Sequence, residues 1–288
     1  MFQPSTTTVT PQSDTEYCRL LVRANDRERY LVALFAPGKR QQYLWALFAF
    51  NQEIAKIREN VSEPALGEIR LQWWQEVLAE ISAGQVRDQP VIRSLARIEN
   101  KADIWPFLGE MINARKLDMF SGSPANMKAL QTYTAGAGGA LHEAVYHLLT
   151  DSAFDAGYGE ASRAAGCAWA MLGLIRALPA HWQTGRSYVP EAQAGGMSAT
   201  NSGEAFQLLA PAILEMRAYV EEKCAHVLAA GAKFPKSVRI CLLFVKLIHL
   251  HLRSLDKCGN NPFEMPAFEV GDLQKMTGLF WSNMRGRY

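Results

Sequence analysis

The chain has 288 residues, a length that one core can hold, and 49% of them are hydrophobic against 20% charged, which excludes disorder as its overall state. Thirty basic residues stand against 28 acidic ones and are interspersed along the chain, so nucleic acid is excluded as an expected partner. The five cysteines, Cys18, Cys167, Cys224, Cys241 and Cys258, are scattered without a CxxC pair, a usage that suits a reducing compartment.

Residues 1–14 are mostly Thr, Ser, Pro and Gln, so a disordered tail is expected ahead of a single helical domain over 15–288. This opening carries no apolar stretch and no basic residue before Arg19, so neither a secretory signal nor a mitochondrial presequence is expected. From Glu16 onward apolar residues recur every three or four positions, as in Leu44, Leu47, Phe48, Phe50, Ile54, Ile57 and Val61. A second helix is predicted from Leu66 through Trp73 and Trp74 to Ile81, ending at Ala83-Gly84. Further helices are predicted over about 91–119, 126–149, 160–178, 204–230 and 236–257, with breaks at Ser121 to Pro124, Asp151 to Gly159, Pro179, Gly195-Gly196, Gly231 and Gly259 to Pro262.

Alternating strand patterns are hard to find, and the predicted class is all-α. The stretch Ala164 to Leu178 is apolar around its whole circumference, with Arg176 as its one internal charge, and a helix of that kind belongs at the centre of a bundle. No apolar run reaches the roughly 20 residues of a membrane span. A cytoplasmic protein is expected, at most peripheral at the inner face of a membrane.

Simple motifs yield no catalytic centre. His142-Glu143 and His147 stand five apart rather than the four that a zinc-binding helix face requires, so a structural role is expected. His249 and His251 are two apart, point away from each other on a helix, and are expected to pack or to lie at an interface rather than ligate. Gly136-Ala137-Gly138-Gly139 has no preceding strand and no following Lys-Ser/Thr, so close helix packing is the better reading than a phosphate loop. Glu53, Glu59, Glu63 and Glu68 form the one carboxylate-rich stretch, read as a solvated face with helical ion pairs to Lys56 and Arg58.

Three segments nevertheless carry a resemblance. Asp26-Arg-Glu-Arg-Tyr-Leu-Val-Ala-Leu-Phe-Ala-Pro37, Ala46 to Phe50, and Glu63-Pro with Ile69 to Trp74 form the first; Tyr133 to Leu141 the second; Gly166 to Pro190, closing on Gly185-Arg186-Ser187-Tyr188-Val189-Pro190, the third. Together they resemble the squalene/phytoene synthase family over nearly all of the chain after residue 16. The resemblance implies a single-domain isoprenoid synthase-type helical bundle around a central cavity.

Active members of that family hold magnesium on two Asp-x-x-x-Asp motifs and ionise farnesyl or geranylgeranyl diphosphate. Carried over, the first motif falls on Ala55 and Glu59 and the second on Ala177 and His181, while the Gln and Asn before the second fall on Ala170 and Gly173. The resemblance therefore implies no catalytic residue, no metal ligand and no cofactor. Arg176, Arg186, Tyr188, Glu53 and Trp169 are the residues it leaves for a ligand, an isoprenoid or lipid, and Ala55 and Ala177 are expected to face one cavity. The wording around Asn51, Glu53 and Ala55, the Val61-Ser62-Glu63 turn, and Arg176-Ala177-x-Pro179-x-His181 resembles a degenerate branch, which includes the phytoene-synthase-like assembly factor of mitochondrial complex I and bacterial relatives. That branch implies work in assembly of NADH dehydrogenase, with its subunits or assembly intermediates as partners. The alternatives are a prenyl diphosphate-condensing transferase using magnesium at a site rearranged around Glu53 and Glu59, and an isoprenoid- or lipid-binding protein.

Overall fold

The computed structural model describes residues 11–286 apart from 100, 121, 151–154, 232–233 and 235. Among the described residues the chain forms helices and turns and no strand. The first helices are α1 (Pro11–Asn25), α2 (Arg27–Ala33), α3 (Gly38–Ala55), α4 (Pro64–Ser82), α5 (Pro90–Ala96) and α6 (Trp105–Arg115). They are followed by α7 (Met127–Thr134), α8 (Ala140–Leu149), α9 (Ala156–Gln183), α10 (Ser202–Gly231), α11 (Leu243–Lys257) and α12 (Asp272–Arg285).

Local chemistry sets many of these boundaries. Asp26, Asn126 and Asp155 accept backbone N–H groups at the starts of α2, α7 and α9, which satisfies donors a helix leaves open. Prolines begin α4 and α5, where the missing N–H costs nothing. Gly84 follows α4 at φ +83, a backbone region that only glycine enters freely.

Helix α9 is the axis of the bundle, packed against α7, α8, α10 and α11. Its side chains Ala161, Ala165, Ala168, Met171, Leu172 and Ile175 are fully buried, as the apolar circumference of this stretch requires. The glycine run Gly136–Gly139 lies in a π-helical turn (Ala135–Gly139) between α7 and α8, and its backbone touches α9: a β-carbon on Gly138 would lie 2.5 Å from the Gly166 carbonyl oxygen. All five cysteines are buried and unpaired. Among the described residues no helix is long and apolar enough to cross a membrane.

Three expectations need correction. Helix α1 begins at Pro11, inside the stretch expected as a tail, because the Asp14 carboxylate accepts from Arg93 and Arg97 of the α5 region at 2.6 Å each and so ties the first turn down. Residues 1–10 lie outside the described residues. The single helix expected over 91–119 is two, α5 and α6, with Pro106 in the first turn of the second. Pro179 does not end α9: the ring removes one backbone donor, but the helix continues to Gln183 and Thr184 N still bonds Ala180 O at 3.2 Å.

Candidate functional site

One face of α9 carries Trp169, Gly173, Arg176, Ala177 and Ala180 at helical spacing. Gly173, Arg176, Ala177, Pro179 and Ala180 form one wall of a cavity of about 470 Å³. His251 and Ser254 of α11 form a second wall, and Pro262, Met265, Pro266 and Glu269 of the following segment close it. Apart from Arg176, His251, Ser254 and Glu269 the lining offers methyl, methylene and backbone surface.

Next to Arg176 and His251 of this lining, the Glu28 side chain meets three basic groups. Its carboxylate receives Arg176 Nη1 at 2.9 Å, Lys275 Nζ of α12 at 2.9 Å, and His251 Nε2. A carboxylate only accepts, so His251 Nε2 carries the proton that it donates. Glu28, His251 and Lys275 are 8%, 2% and 5% exposed, so this is an interior cluster. Burial alone would raise the Glu28 pKa, but the hydrogen bond from His251 and the charge of Arg176 hold it well below the usual carboxylate range. Burial also lowers the pKa of His251, which keeps the ring neutral. Trp169 roofs the cluster, with its ring centroid 6.0 Å from the Arg176 guanidinium carbon and 6.1 Å from the His251 ring.

A second, smaller cavity of about 230 Å³ lies at the C-terminal end of α9, lined by Arg58, Asp118, Thr184, Arg186 and Tyr188 among others. Here Arg186 donates to the Tyr188 hydroxyl at 2.9 Å, and Tyr188 donates to Asp118 at 2.7 Å. Arg115 adds bonds to Asp118 at 3.3 Å and to Tyr133 at 2.7 Å. His181 lies against the Tyr188 ring, centroids 4.8 Å apart.

The residues singled out from the sequence thus divide. Arg176 and Ala177 line the larger cavity, with Trp169 against Arg176; His181, Arg186 and Tyr188 gather around the smaller one, where Arg58 places exposed Glu59 nearby in sequence. Ala55, at the end of α3, lines neither, so neither cavity contains both Ala55 and Ala177. Glu53 acts electrostatically on Tyr17 and Cys18 of α1, and burial raises its own pKa. Among the described residues no three His, Cys, Asp or Glu side chains are grouped as a metal-ion site.

Magnesium, which the family resemblance raises, demands oxygen ligands. Of the four positions onto which the resemblance carries the motifs, Ala55 and Ala177 have no ligand atom, His181 offers a ring nitrogen, and Glu59 is a carboxylate.

Sequence reasoning missed Glu28, Lys275 and Asp118, and it assigned His251 to packing or an interface. The available signal was Arg176: a lone cation in an otherwise apolar helix demands a carboxylate from elsewhere in the fold.

Burial together with the Arg186 charge lowers the His181 pKa to about 4. Because the folded value lies below the unfolded one of about 6.5, the neutral ring supports the fold fully above that pH. The support is lost as pH falls from about 6.5 toward about 4. His181→Gln should therefore show a smaller drop in melting temperature between neutral and pH 4.5 buffers than the wild type, read by circular dichroism. An equal drop in both would show that His181 does not titrate in this window.

A squalene/phytoene synthase family model matches residues 22–277. The chain is 29% identical over 177 residues to "NADH dehydrogenase (ubiquinone) complex I, assembly factor 6" of Bos taurus, covering 60% of this chain and 52% of that protein. It is 23% identical over 256 residues to the homolog of that factor in Dictyostelium discoideum, covering 85% of this chain and 70% of the relative. The chain thus spans about half the length of its mammalian relatives. In three dimensions it resembles a dehydrosqualene synthase with a TM-score of 0.79 at 20% identity, over 96% of this chain and 97% of the other. It also resembles a squalene synthase of Alicyclobacillus acidocaldarius with a TM-score of 0.70 at 18% identity, over 88% and 96% of the two chains.

Proposed function

The chain belongs to the squalene/phytoene synthase family, and on that premise we propose that it is a non-catalytic member acting in the assembly of respiratory NADH dehydrogenase. The observation that carries the non-catalytic part is Ala177. Where the family resemblance calls for a metal-binding carboxylate, α9 presents a methyl group to a largely apolar cavity, and the neighbouring Arg176 is held by Glu28. Loss of a single charge stabiliser at a transition state costs about 2.7–4 kcal/mol. Three of the four carried-over positions, Ala55, Ala177 and His181, lack a carboxylate.

The assembly part is supported by the relatives, which bear that name in mammals and in Dictyostelium. NADH dehydrogenase subunits or assembly intermediates are the partners in this reading, and the place of work is the cytoplasm, at the inner face of the membrane. The apolar lining of the larger cavity supports an isoprenoid or lipid as its occupant.

The catalytic question has a direct test. Purified protein incubated with farnesyl or geranylgeranyl diphosphate and magnesium should give no coupled hydrocarbon and no diphosphate above a protein-free blank. Sustained turnover of either substrate would overturn the non-catalytic reading.

A further inference from the structure

Three basic side chains drawn from three different helices, Arg176 of α9, His251 of α11 and Lys275 of α12, converge on one point in the interior. Such a convergence is what an anion-binding site consists of: guanidinium and ammonium donors aimed at a shared acceptor, with water largely excluded. Here the acceptor is part of the chain. Both carboxylate oxygens of Glu28 are engaged, Oε2 by Arg176 and Oε1 by His251 and Lys275. Two of these donors, Arg176 and His251, also border the 470 Å³ cavity.

We infer that Glu28 is a built-in anion, which fills the cationic site bordering the α9–α11 cavity and thereby closes that cavity to ligands carrying a phosphate or diphosphate group.

The charge balance supports this. With His251 neutral, the two cations Arg176 and Lys275 meet two carboxylates, Glu28 in the cluster and Glu269 on the cavity wall, so the cavity has no net charge with which to attract an anion. A diphosphate entering beside Arg176 would also have to displace a carboxylate from donors at 2.9 Å and leave it buried without partners. The exclusion does not depend on the assembly role proposed above but rests on the same premise as the non-catalytic reading; pyrophosphate binding without turnover would overturn the exclusion alone.

The decisive variant is Glu28→Gln, which keeps the side-chain shape and removes the charge. Calorimetric titration with pyrophosphate should give no binding to the wild type and clear binding to Glu28→Gln, and the added change Arg176→Gln should abolish the binding. Farnesyl diphosphate should follow the same order, with affinity at least tenfold higher for Glu28→Gln than for the wild type. If Glu28→Gln is too unstable to purify folded, refolding in pyrophosphate should restore its helical spectrum, whereas refolding at matched ionic strength in chloride should not. Wild-type protein that binds pyrophosphate in an Arg176-dependent manner would overturn the inference. So would a Glu28→Gln protein that neither binds pyrophosphate nor is rescued by it.

Discussion

Gly166→Ala is expected to destabilise the fold by about 3 kcal/mol, the upper end of the usual overpacking cost. The reason is the crossing of α9 with the π-helical turn after α7. A β-carbon on Gly166 would lie 2.2 Å from the Gly138 carbonyl oxygen and 2.8 Å from the His142 β-carbon. Neither neighbour is the far end of a flexible side chain, so the two segments must move apart. That separation would loosen the contacts of α8 with α9 and disturb the His142 ring, which packs 4.3 Å from Phe244 of α11. Gly173, two turns further along α9, provides the control: a β-carbon there would meet nothing within 4 Å, because the position faces the cavity. Gly173→Ala should be neutral or stabilising by up to about 1 kcal/mol, since alanine is the better helix former. Urea denaturation of the two variants should separate them. Similar midpoints would show that the close crossing does not hold α9 in place.

Glu28→Ala is expected to cost about 3–5 kcal/mol at neutral pH, because removing one partner of a buried ion pair strands the others. Lys275 is 5% exposed and would lose its carboxylate, and Arg176 would lose the acceptor that holds it beside Trp169. The pH dependence follows from the direction of the shift. Burial pushes the folded-state pKa of Glu28 up, but His251 and Arg176 outweigh it and leave the value depressed, so the carboxylate supports the fold fully above its unfolded value of about 4.3. That support drains away as pH falls below about 4.3. The stability gap between wild type and Glu28→Ala should thus be widest at pH 7 and narrower at pH 3, measured by urea denaturation. A gap that widens on acidification would contradict the cluster as described.

Much of this architecture was legible in the residues, and the exceptions have physical causes. The apolar circumference of Ala164 to Leu178 placed that helix at the centre, and the Gly136 to Gly139 run without a strand or a Lys-Ser/Thr signalled close packing. Both readings rest on local pattern, and local pattern survives folding. Pro179 misled because a proline inside a helix is normally a break, yet tertiary packing carried α9 through it to Gln183. The tail boundary was misplaced because the tie that orders Asp14 comes from Arg93 and Arg97, some eighty positions away. Glu28 was invisible for the same reason: its partners lie 148, 223 and, in Lys275, more than two hundred positions distant. Arg176 could be seen to need a carboxylate, but the choice among the 28 acidic residues was made by the fold.

In the function proposed for this chain, the family's chemistry has given way to a role in assembly. Its most direct measurement is a deletion of this gene in its own cell, with assembled NADH dehydrogenase and the cellular isoprenoids quantified together. The expected result is less assembled NADH dehydrogenase at unchanged isoprenoid levels, with restoration by the wild-type gene. Depletion of a specific isoprenoid with NADH dehydrogenase assembled normally would contradict it.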